Sequence, residues 1–221
     1  MLAPMALAGP WVQADQSLYV RGGMAFEDHE GFDATRMDVY GEYGVTDAWT
    51  LSAKYERVDF EDSSPFDSDG WRVTARRRVL SQGRWIASFE GGLLEGAALG
   101  GFRGCESLGG EIGAGLGFGT TLENEEQIYA GVSVARREHQ DDCYHNRFEA
   151  VYGATSPSGW TWTYQFWAER GEDDKSDKFE VMLSRQFGML EPGIAFRREI
   201  GGDFEETAVF VSLAFRARLA D

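Results

Sequence analysis

The histidines are the first candidates for catalysis, because a histidine beside a carboxylate can act as a general base on water. The chain has three of them, His29, His139 and His145. His139 lies two and three residues before Asp141 and Asp142, but the neighbours of His145 include no serine that could act as a nucleophile. A lone histidine in an acidic segment is usually only solvated. Hydrolase activity is therefore kept as an alternative function, and no catalytic residue is predicted.

The glycines of the segment 109–119 raise the question of phosphate binding. Gly109-Gly110 is followed by glycines at every second position from Gly113 to Gly119, and no helical pattern follows them. A phosphate cradle needs a strand, a glycine turn and then a helix N-terminus. Alternating glycines instead leave one wall of a sheet without side chains, which makes room for bulky neighbours or for a channel. No nucleotide or other cofactor is predicted.

The two cysteines predict no metal centre, since they are not spaced as CxxC and cannot build a zinc site alone.

The overall charge and composition of the chain limit the classes of protein to which it can belong. The 221 residues carry 37 acidic and 21 basic side chains, a formal net charge of −16. Nucleic-acid binders need a basic footprint, so the charge disfavours this class and no nucleic-acid partner is predicted. Aromatic residues make up 14% of the chain, which argues against disorder.

The elements that must position these residues are strands, because hydrophobic residues recur with period two rather than 3.6. In the segment 160–169 the apolar side chains occupy the even positions and polar side chains most of the odd ones, Trp167 being the exception. The same alternation returns in 18–27, 49–56, 111–118 and 209–219. No stretch reaches about 18 apolar residues, so no transmembrane helix is predicted.

Counting these segments predicts an all-β chain of twelve strands. Five connections are short and rich in turn-forming residues, as in Thr46-Asp47 and 156–159. The others are predicted to be longer and mostly acidic, with loops at 27–33, 59–70, 138–146 and 170–177. The strands are predicted at 17–27, 34–45, 48–59, 70–80, 84–94, 109–120, 126–137, 146–155, 160–170, 178–188, 193–200 and 206–219.

This pattern resembles a bacterial outer-membrane β-barrel of porin type, over residues 15–221. Such barrels combine an even strand count, tight periplasmic turns, longer external loops and alternating lipid-facing and lumen-facing side chains. The resemblance implies a closed, antiparallel, up-and-down barrel in the outer membrane of a Gram-negative bacterium, in contact with lipid and lipopolysaccharide. A soluble lipocalin-like barrel is the alternative fold. Some twelve-stranded relatives in this class are proteases or lipases, which keeps the hydrolase alternative open.

In such a barrel the polar face lines the lumen. Two interpretations remain open: an ion-pair network that fills a structural barrel, and a narrow hydrophilic pore for small solutes. The predicted lumen residues are the acids Asp38, Glu42, Glu56, Glu90, Glu111, Glu149, Glu169, Glu180 and Glu199 and the bases Arg21, Lys54, Arg72, Arg76, Arg78, Arg147, Arg197, Arg216 and Arg218.

The apolar face carries tryptophans at strand ends, where Trp and Tyr mark membrane–water interfaces. Four of them begin strands after short turns and predict a periplasmic girdle. Three arginines, Arg57, Arg77 and Arg185, fall in phase with this apolar face and would have to snorkel. The predicted girdle residues are Trp49, Trp71, Trp85, Trp160 and Trp162.

The N-terminus resembles the end of a secretory signal peptide, with a small apolar run and Val12-Gln13-Ala14 before a cut at Asp15. Residues 1–14 are therefore predicted to be a leader remnant and 15–221 the barrel domain. Export would place Cys105 and Cys143 in an oxidising compartment. In the twelve-strand topology their loops are neighbours at one end of the barrel, so we expect a disulfide between them.

The acidic outer loops are expected to bind divalent cations weakly, because oxygen ligands relieve the repulsion between clustered carboxylates. No loop has the ligand spacing of an EF-hand, so no tight site is predicted. A solubilising surface that faces lipopolysaccharide, without a specific ion, is the alternative reading of the same residues.

Overall fold

The chain folds into one closed antiparallel barrel in the computed structural model, which describes residues 9–61, 64–96, 105–172, 174–203 and 205–219. The predicted twelve-strand barrel is thereby confirmed. The strands are β1 (Ser17–His29), β2 (Phe32–Thr46), β3 (Trp49–Phe60), β4 (Ser68–Gln82), β5 (Trp85–Gly96), β6 (Gly109–Thr121), β7 (Gln127–His139), β8 (Tyr144–Thr155), β9 (Trp160–Arg170), β10 (Lys175–Arg185), β11 (Leu190–Gly202) and β12 (Glu206–Arg218).

Each strand pairs with its neighbours in sequence, and β1 closes the ring by pairing with β12 from Ser17↔Arg218 to His29↔Glu206. Closure pairs the backbone groups that an edge strand would leave open, which hydrocarbon surroundings require. Among the described residues, no helix is both long and apolar enough to cross a membrane.

The side chains on the outward face of the barrel are mostly apolar and exposed. Phe89 is 61% exposed and Ile112 71% exposed, although both lie in the middle of long strands. An exposed apolar band of this extent marks a surface that contacts lipid. The soluble lipocalin-like alternative requires the opposite, with apolar side chains inside.

The tryptophans lie on this outer face at strand ends. Trp49, Trp85, Trp160 and Trp162 are 40 to 50% exposed at the end with the short turns, whereas Trp71 lies near the opposite end, where its indole N–H donates to Glu95. Two of the arginines in phase with the apolar face stack on these rings: Arg77 lies 5.5 Å from the Trp49 ring centre and Arg185 5.1 Å from that of Trp160. Arg57 pairs with Asp59 on its own strand.

The prediction of long acidic loops is wrong for three of the four segments. The segment 27–33 contains a hairpin turn of only two residues, Glu30 and Gly31, both with positive φ (54° and 89°). The connections 140–143 and 171–174 are also short. The strands continue further because charged side chains pair across them, as Glu27 with Arg36 and Arg170 with Asp177.

The β10–β11 turn lies three residues earlier than predicted, at 186–189 instead of 189–192. Gly188 adopts φ +60° there, a conformation that glycine reaches at little cost. The shift changes which residues face inward: Glu191 becomes part of the barrel lumen, and Pro192 faces outward.

A closed barrel of this kind resists mild denaturation. We expect the protein refolded in detergent to migrate differently on a gel when unheated than when boiled, because the intact ring binds less denaturing detergent. Circular dichroism should show β structure in the unheated sample. A single heat-independent band, with a chain that folds and stays monomeric without detergent, would contradict the membrane barrel.

Candidate functional site

The charged side chains on the inward face form the candidate site. Fourteen of the residues predicted for the lumen sit at inward positions and are buried or half-buried, among them Arg21, Lys54 and Glu180. Arg147 and Glu199 share this placement. Arg78 lies half-buried beside a register shift near the short turns, and Arg218 is exposed at the end of β12, so both lie at the rim.

Six further charged residues face inward that the sequence analysis did not include in the lumen. Five of them lie within predicted strands and continue the alternation there, so applying the period to the whole of each strand would have found them. Glu191 was assigned to a turn. The six are Glu27, Arg36, Arg137, Lys178, Glu191 and Glu206.

Arg36 is the centre of the charge network nearest the outer end, the end opposite the short turns. Its Nε donates to Glu27 Oε1 at 2.5 Å, and its Nη1 donates to Glu56. Glu206, from β12, lies 3.8 Å from Arg36 and 2.5 Å from Lys178 Nζ. The side chains of Glu27 and Glu206 have no exposed surface, so these carboxylates depend on the bases for the charge compensation that water would otherwise supply.

Glu111 is the central acid of a second charge network, on the opposite wall of the lumen. It accepts from Arg72 at 3.0 Å and from Arg137 at 2.5 Å. Arg147 continues the network to Glu149 at 3.1 Å and Glu169 at 3.5 Å. The Arg72–Glu111 pair connects β4 with β6, which do not share hydrogen bonds, whereas the pairs of Glu111 with Arg137 and of Arg147 with Glu169 join neighbouring strands.

Arg76 marks the inner part of the lumen, towards the short turns. Its guanidinium donates to Glu90 at 2.6 Å and to Glu42 at 3.1 Å, and also to the carbonyl oxygen of Trp11 at 2.8 Å. The last contact brings in a segment that precedes the first strand.

The segment 9–14 lies inside the barrel at the end with the short turns. Pro10 is fully buried, and the Trp11 ring meets Tyr129 edge-on with centres 5.8 Å apart. The backbone N–H of Gln13 donates to the Thr50 hydroxyl at 2.7 Å. The predicted leader remnant includes this segment, and its residues 1–8 lie outside the described part of the chain.

Two of the alternating glycines, Gly115 and Gly117, and Gly131 of β7 form the wall against which this segment packs. A Cβ added at Gly117 would lie 2.8 Å from Pro10 Cγ, and one added at Gly131 would lie 2.7 Å from the Trp11 ring. At Gly115 the corresponding distance to Pro10 Cβ is 2.9 Å. Any larger residue at these positions would collide with the segment. The room that the glycine pattern predicted is therefore occupied by Pro10 and Trp11.

Above this segment the lumen contains two cavities. The larger has a volume of about 140 Å³ and is lined by eight basic and four acidic side chains, including Arg21, Lys54 and Arg197. The smaller, of about 50 Å³, lies against Gly9 and Pro10. Arg72 and Arg147 line both cavities, so their guanidinium groups stand between the two spaces.

The predicted disulfide is present at the outer end of the barrel. Cys105 and Cys143 are bonded, with Cα atoms 5.5 Å apart. Cys105 is buried against the His145 ring, whose Nε2 lies 3.4 Å from Sγ. His139 has its Nδ1 2.7 Å from the carbonyl oxygen of Ser107, which ties it to the same connection.

Asp141, one of the carboxylates considered as a partner of His139, is held in the neighbouring turn. Its backbone N–H lies 3.3 Å from the Ser107 hydroxyl oxygen. Slight burial acts to raise the pKa of Asp141, and hydrogen bonds to its carboxylate from Ser107 and from backbone N–H groups outweigh this effect and lower the pKa. The carboxylate is therefore ionised and engaged in shaping the turn.

Comparison with known proteins supports the fold. No protein-family model and no curated protein matches the sequence. Solved structures that resemble it include an outer membrane channel from Pseudomonas putida (TM-score 0.62, 11% identity, covering 96% of this chain and 99% of that one). The NanC porin is similar (TM-score 0.62, 14% identity, 90% of this chain and 98% of that one).

The KdgM porin is a third such structure, with a TM-score of 0.58, 12% identity, and coverage of 88% of this chain and 98% of that one. It has also been solved in complex with oligogalacturonate. At these identities the likeness concerns the fold. Together with the apolar outer band, it confirms the predicted outer-membrane barrel and shows that this barrel has the same fold as those porins.

Proposed function

We propose that this protein is a narrow outer-membrane channel that prefers small anionic solutes. The observation that carries the proposal is the wall of the larger cavity, where eight bases face four acids. The chain as a whole has the opposite sign, with a net charge of −16, so positive charge is concentrated where a solute would pass.

The electrostatic reason is that a low-dielectric wall focuses the field of the charges that line it, which raises the local concentration of oppositely charged solutes. Rings of arginine and lysine are the usual means by which a pore favours anions. Oligogalacturonate, seen with the KdgM porin, is an anionic ligand of a barrel with the same fold.

The route through the lumen runs from the outer end into the larger cavity, past Arg72 and Arg147, and into the smaller cavity. There it meets Pro10 and Trp11. We propose that the segment 9–14 restricts the inner end of the channel, because it is held by hydrogen bonds to Thr50 and Arg76 and packed against a wall of glycines.

A structural barrel is the second candidate, favoured by the extent of ion pairing. Most inward charges have a partner within hydrogen-bond distance, as the networks around Arg36 and Glu111 illustrate. The hydrolase alternative has less support, because His139 is tied to the Ser107 carbonyl group and His145 packs on the disulfide.

The test measures the reversal potential of the current through the refolded protein in a planar lipid bilayer under a KCl gradient. We expect chloride to be preferred, and Lys54→Gln to reduce that preference because it removes a base from the wall of the cavity. Arg57→Gln is the matched control: it changes a base of the same strand, β3, that faces outward.

Two results would count against the proposal. Cation preference in the unmodified protein would show that the bases on the cavity wall do not control passage. The absence of current, even from a chain without the segment 9–14, would favour the structural barrel.

A further inference from the structure

We propose that reduction of the Cys105–Cys143 disulfide creates a tetrahedral zinc site at the outer end of the barrel. The ligands are the two cysteine sulfurs, His145 and Asp174. This site does not depend on channel function, because it lies at the outer end of the barrel and none of its four residues lines either cavity.

The first argument is the position of the His145 ring. Its Nε2 lies 3.4 Å from Cys105 Sγ. With zinc about 2.3 Å from sulfur and about 2.0 Å from nitrogen, the S···N edge of a tetrahedron is roughly 3.5 Å. The imidazole therefore already stands at the distance from the sulfur that a shared metal ion requires.

The second argument is the supply of the other two ligands. The Sγ atom of Cys143 is within 4.8 Å of both Cys105 Sγ and the His145 ring nitrogen. Asp174 Oδ1 lies 3.8 Å from His145 Nε2, compared with roughly 3.3 Å for an O···N edge around zinc. Two thiolates, an imidazole and a carboxylate form a set that zinc prefers.

Backbone hydrogen bonds join the connection before β6, which carries Cys105, to the turn that carries Cys143, independently of the disulfide. His139 N–H donates to the Cys143 carbonyl group at 2.9 Å, and Gln140 N–H donates to the Leu108 carbonyl group at 3.1 Å. The Cα atoms of the two cysteines are 5.5 Å apart. Rotation about their Cα–Cβ bonds can separate the sulfurs to the roughly 3.8 Å of a tetrahedral S···S edge.

Two of the four proposed ligands are shielded from water, and the other two are accessible. Cys105 and His145 are 2% and 5% exposed, whereas Cys143 is half-buried and Asp174 is 25% exposed. A reductant can thus reach Cys143, and the metal would bind with two ligands shielded from water. The oxidised protein has no such site, because both sulfurs are used in the covalent bond.

A dithiol can supply the electrons and protons that reduction of the disulfide requires. The dithiol transfers two electrons and two protons to the S–S bond and becomes a disulfide, and both cysteines become thiols. Zinc then displaces the two thiol protons to solvent. The redox state therefore decides whether the two connections are joined by a covalent bond or by a metal ion.

The experiment uses Co²⁺ as a spectroscopic substitute for zinc. The refolded protein is reduced with a dithiol, freed of reductant without oxygen, and titrated with Co²⁺. We expect one equivalent to bind with the strong visible absorption of a tetrahedral thiolate site, and Zn²⁺ to displace it. The oxidised protein should give no such band.

The variants test the individual ligands. His145→Ala should weaken Co²⁺ binding about tenfold or more and alter the spectrum, since even changes outside the ligand set commonly cost that much. His29→Ala is the matched control, because His29 lies at the same end of the barrel on β1. Cys105→Ser combined with Cys143→Ser should abolish the band.

Three results would overturn the proposal: no band in the reduced protein, equal binding by the oxidised protein, or an unchanged spectrum and affinity in His145→Ala. Each variant is first checked for the heat-dependent gel migration of a folded barrel. If His145→Ala fails this check, Asp174→Asn decides instead: weaker binding supports the site, and unchanged binding contradicts it.

Discussion

A chain that begins at Asp15 should conduct severalfold better than one that begins at Gly9, when both are refolded in detergent and measured as single channels. The reason is steric. Pro10 is fully buried and Trp11 packs on Tyr129, so these residues occupy the inner end of the lumen. Removing them joins the smaller cavity to the short-turn end of the barrel.

The glycine wall offers an independent test of the same idea. Gly117→Val places side-chain atoms where Pro10 and Trp11 now lie, because even a Cβ would come within 2.8 Å of Pro10. We expect this variant to displace the segment and to raise the conductance of the chain that begins at Gly9. In the chain that begins at Asp15 the same change should have little effect, since the two changes act on one contact.

The matched control is Gly22→Val. Gly22 is also in a strand, but a Cβ there would meet nothing within 4 Å. Equal conductance of the two chains, with no response to Gly117→Val, would mean that the segment does not restrict the pore.

Arg36→Ala should lower the free energy of unfolding by about 3–5 kcal/mol, the usual cost of removing one partner from a buried ion pair. The change leaves Glu27 and Glu56 without the guanidinium that now contacts both, and it removes one of the positive charges near Glu206, which keeps its contact with Lys178. Equilibrium unfolding of the barrel in lipid vesicles, followed by tryptophan fluorescence, measures the loss.

Arg36→Lys should cost less, because it keeps the charge and loses the planar fork that reaches several carboxylates. Arg57→Ala is the control: Arg57 pairs with Asp59 on the exposed outer face, and we expect no measurable change. A loss for Arg36→Ala no larger than that for Arg57→Ala would show that the network contributes little to stability.

The strand pattern determined the architecture. Alternation with period two assigns each side chain to the inner or the outer face, which is why Trp49 and Trp85 could be placed outside and Glu111 and Arg76 inside from the sequence. The neighbouring positions of Cys105 and Cys143 follow from the same strand count. These conclusions need only local periodicity and the order of the strands along the chain.

The strand ends were less well predicted, for a physical reason. Charged residues such as Asp28 and Asp177 are typical of loops when considered locally, but both lie in strands, where Asp177 pairs with Arg170 of the neighbouring strand. Arg36 and Glu206 are 170 positions apart in the chain and become neighbours in space only through closure of β1 on β12. Sequence spacing alone carries no information about such a pair.

The position of the segment 9–14 inside the barrel is determined by the tertiary structure alone. It has no periodicity, and its small apolar residues resemble a leader as much as an ordered element. The alternating glycines showed that space was available along one wall, and only the closed barrel brings Gly117 and Gly131 to Pro10 and Trp11. Periodicity determines which way side chains point, whereas the three-dimensional ring determines what fills the space between them.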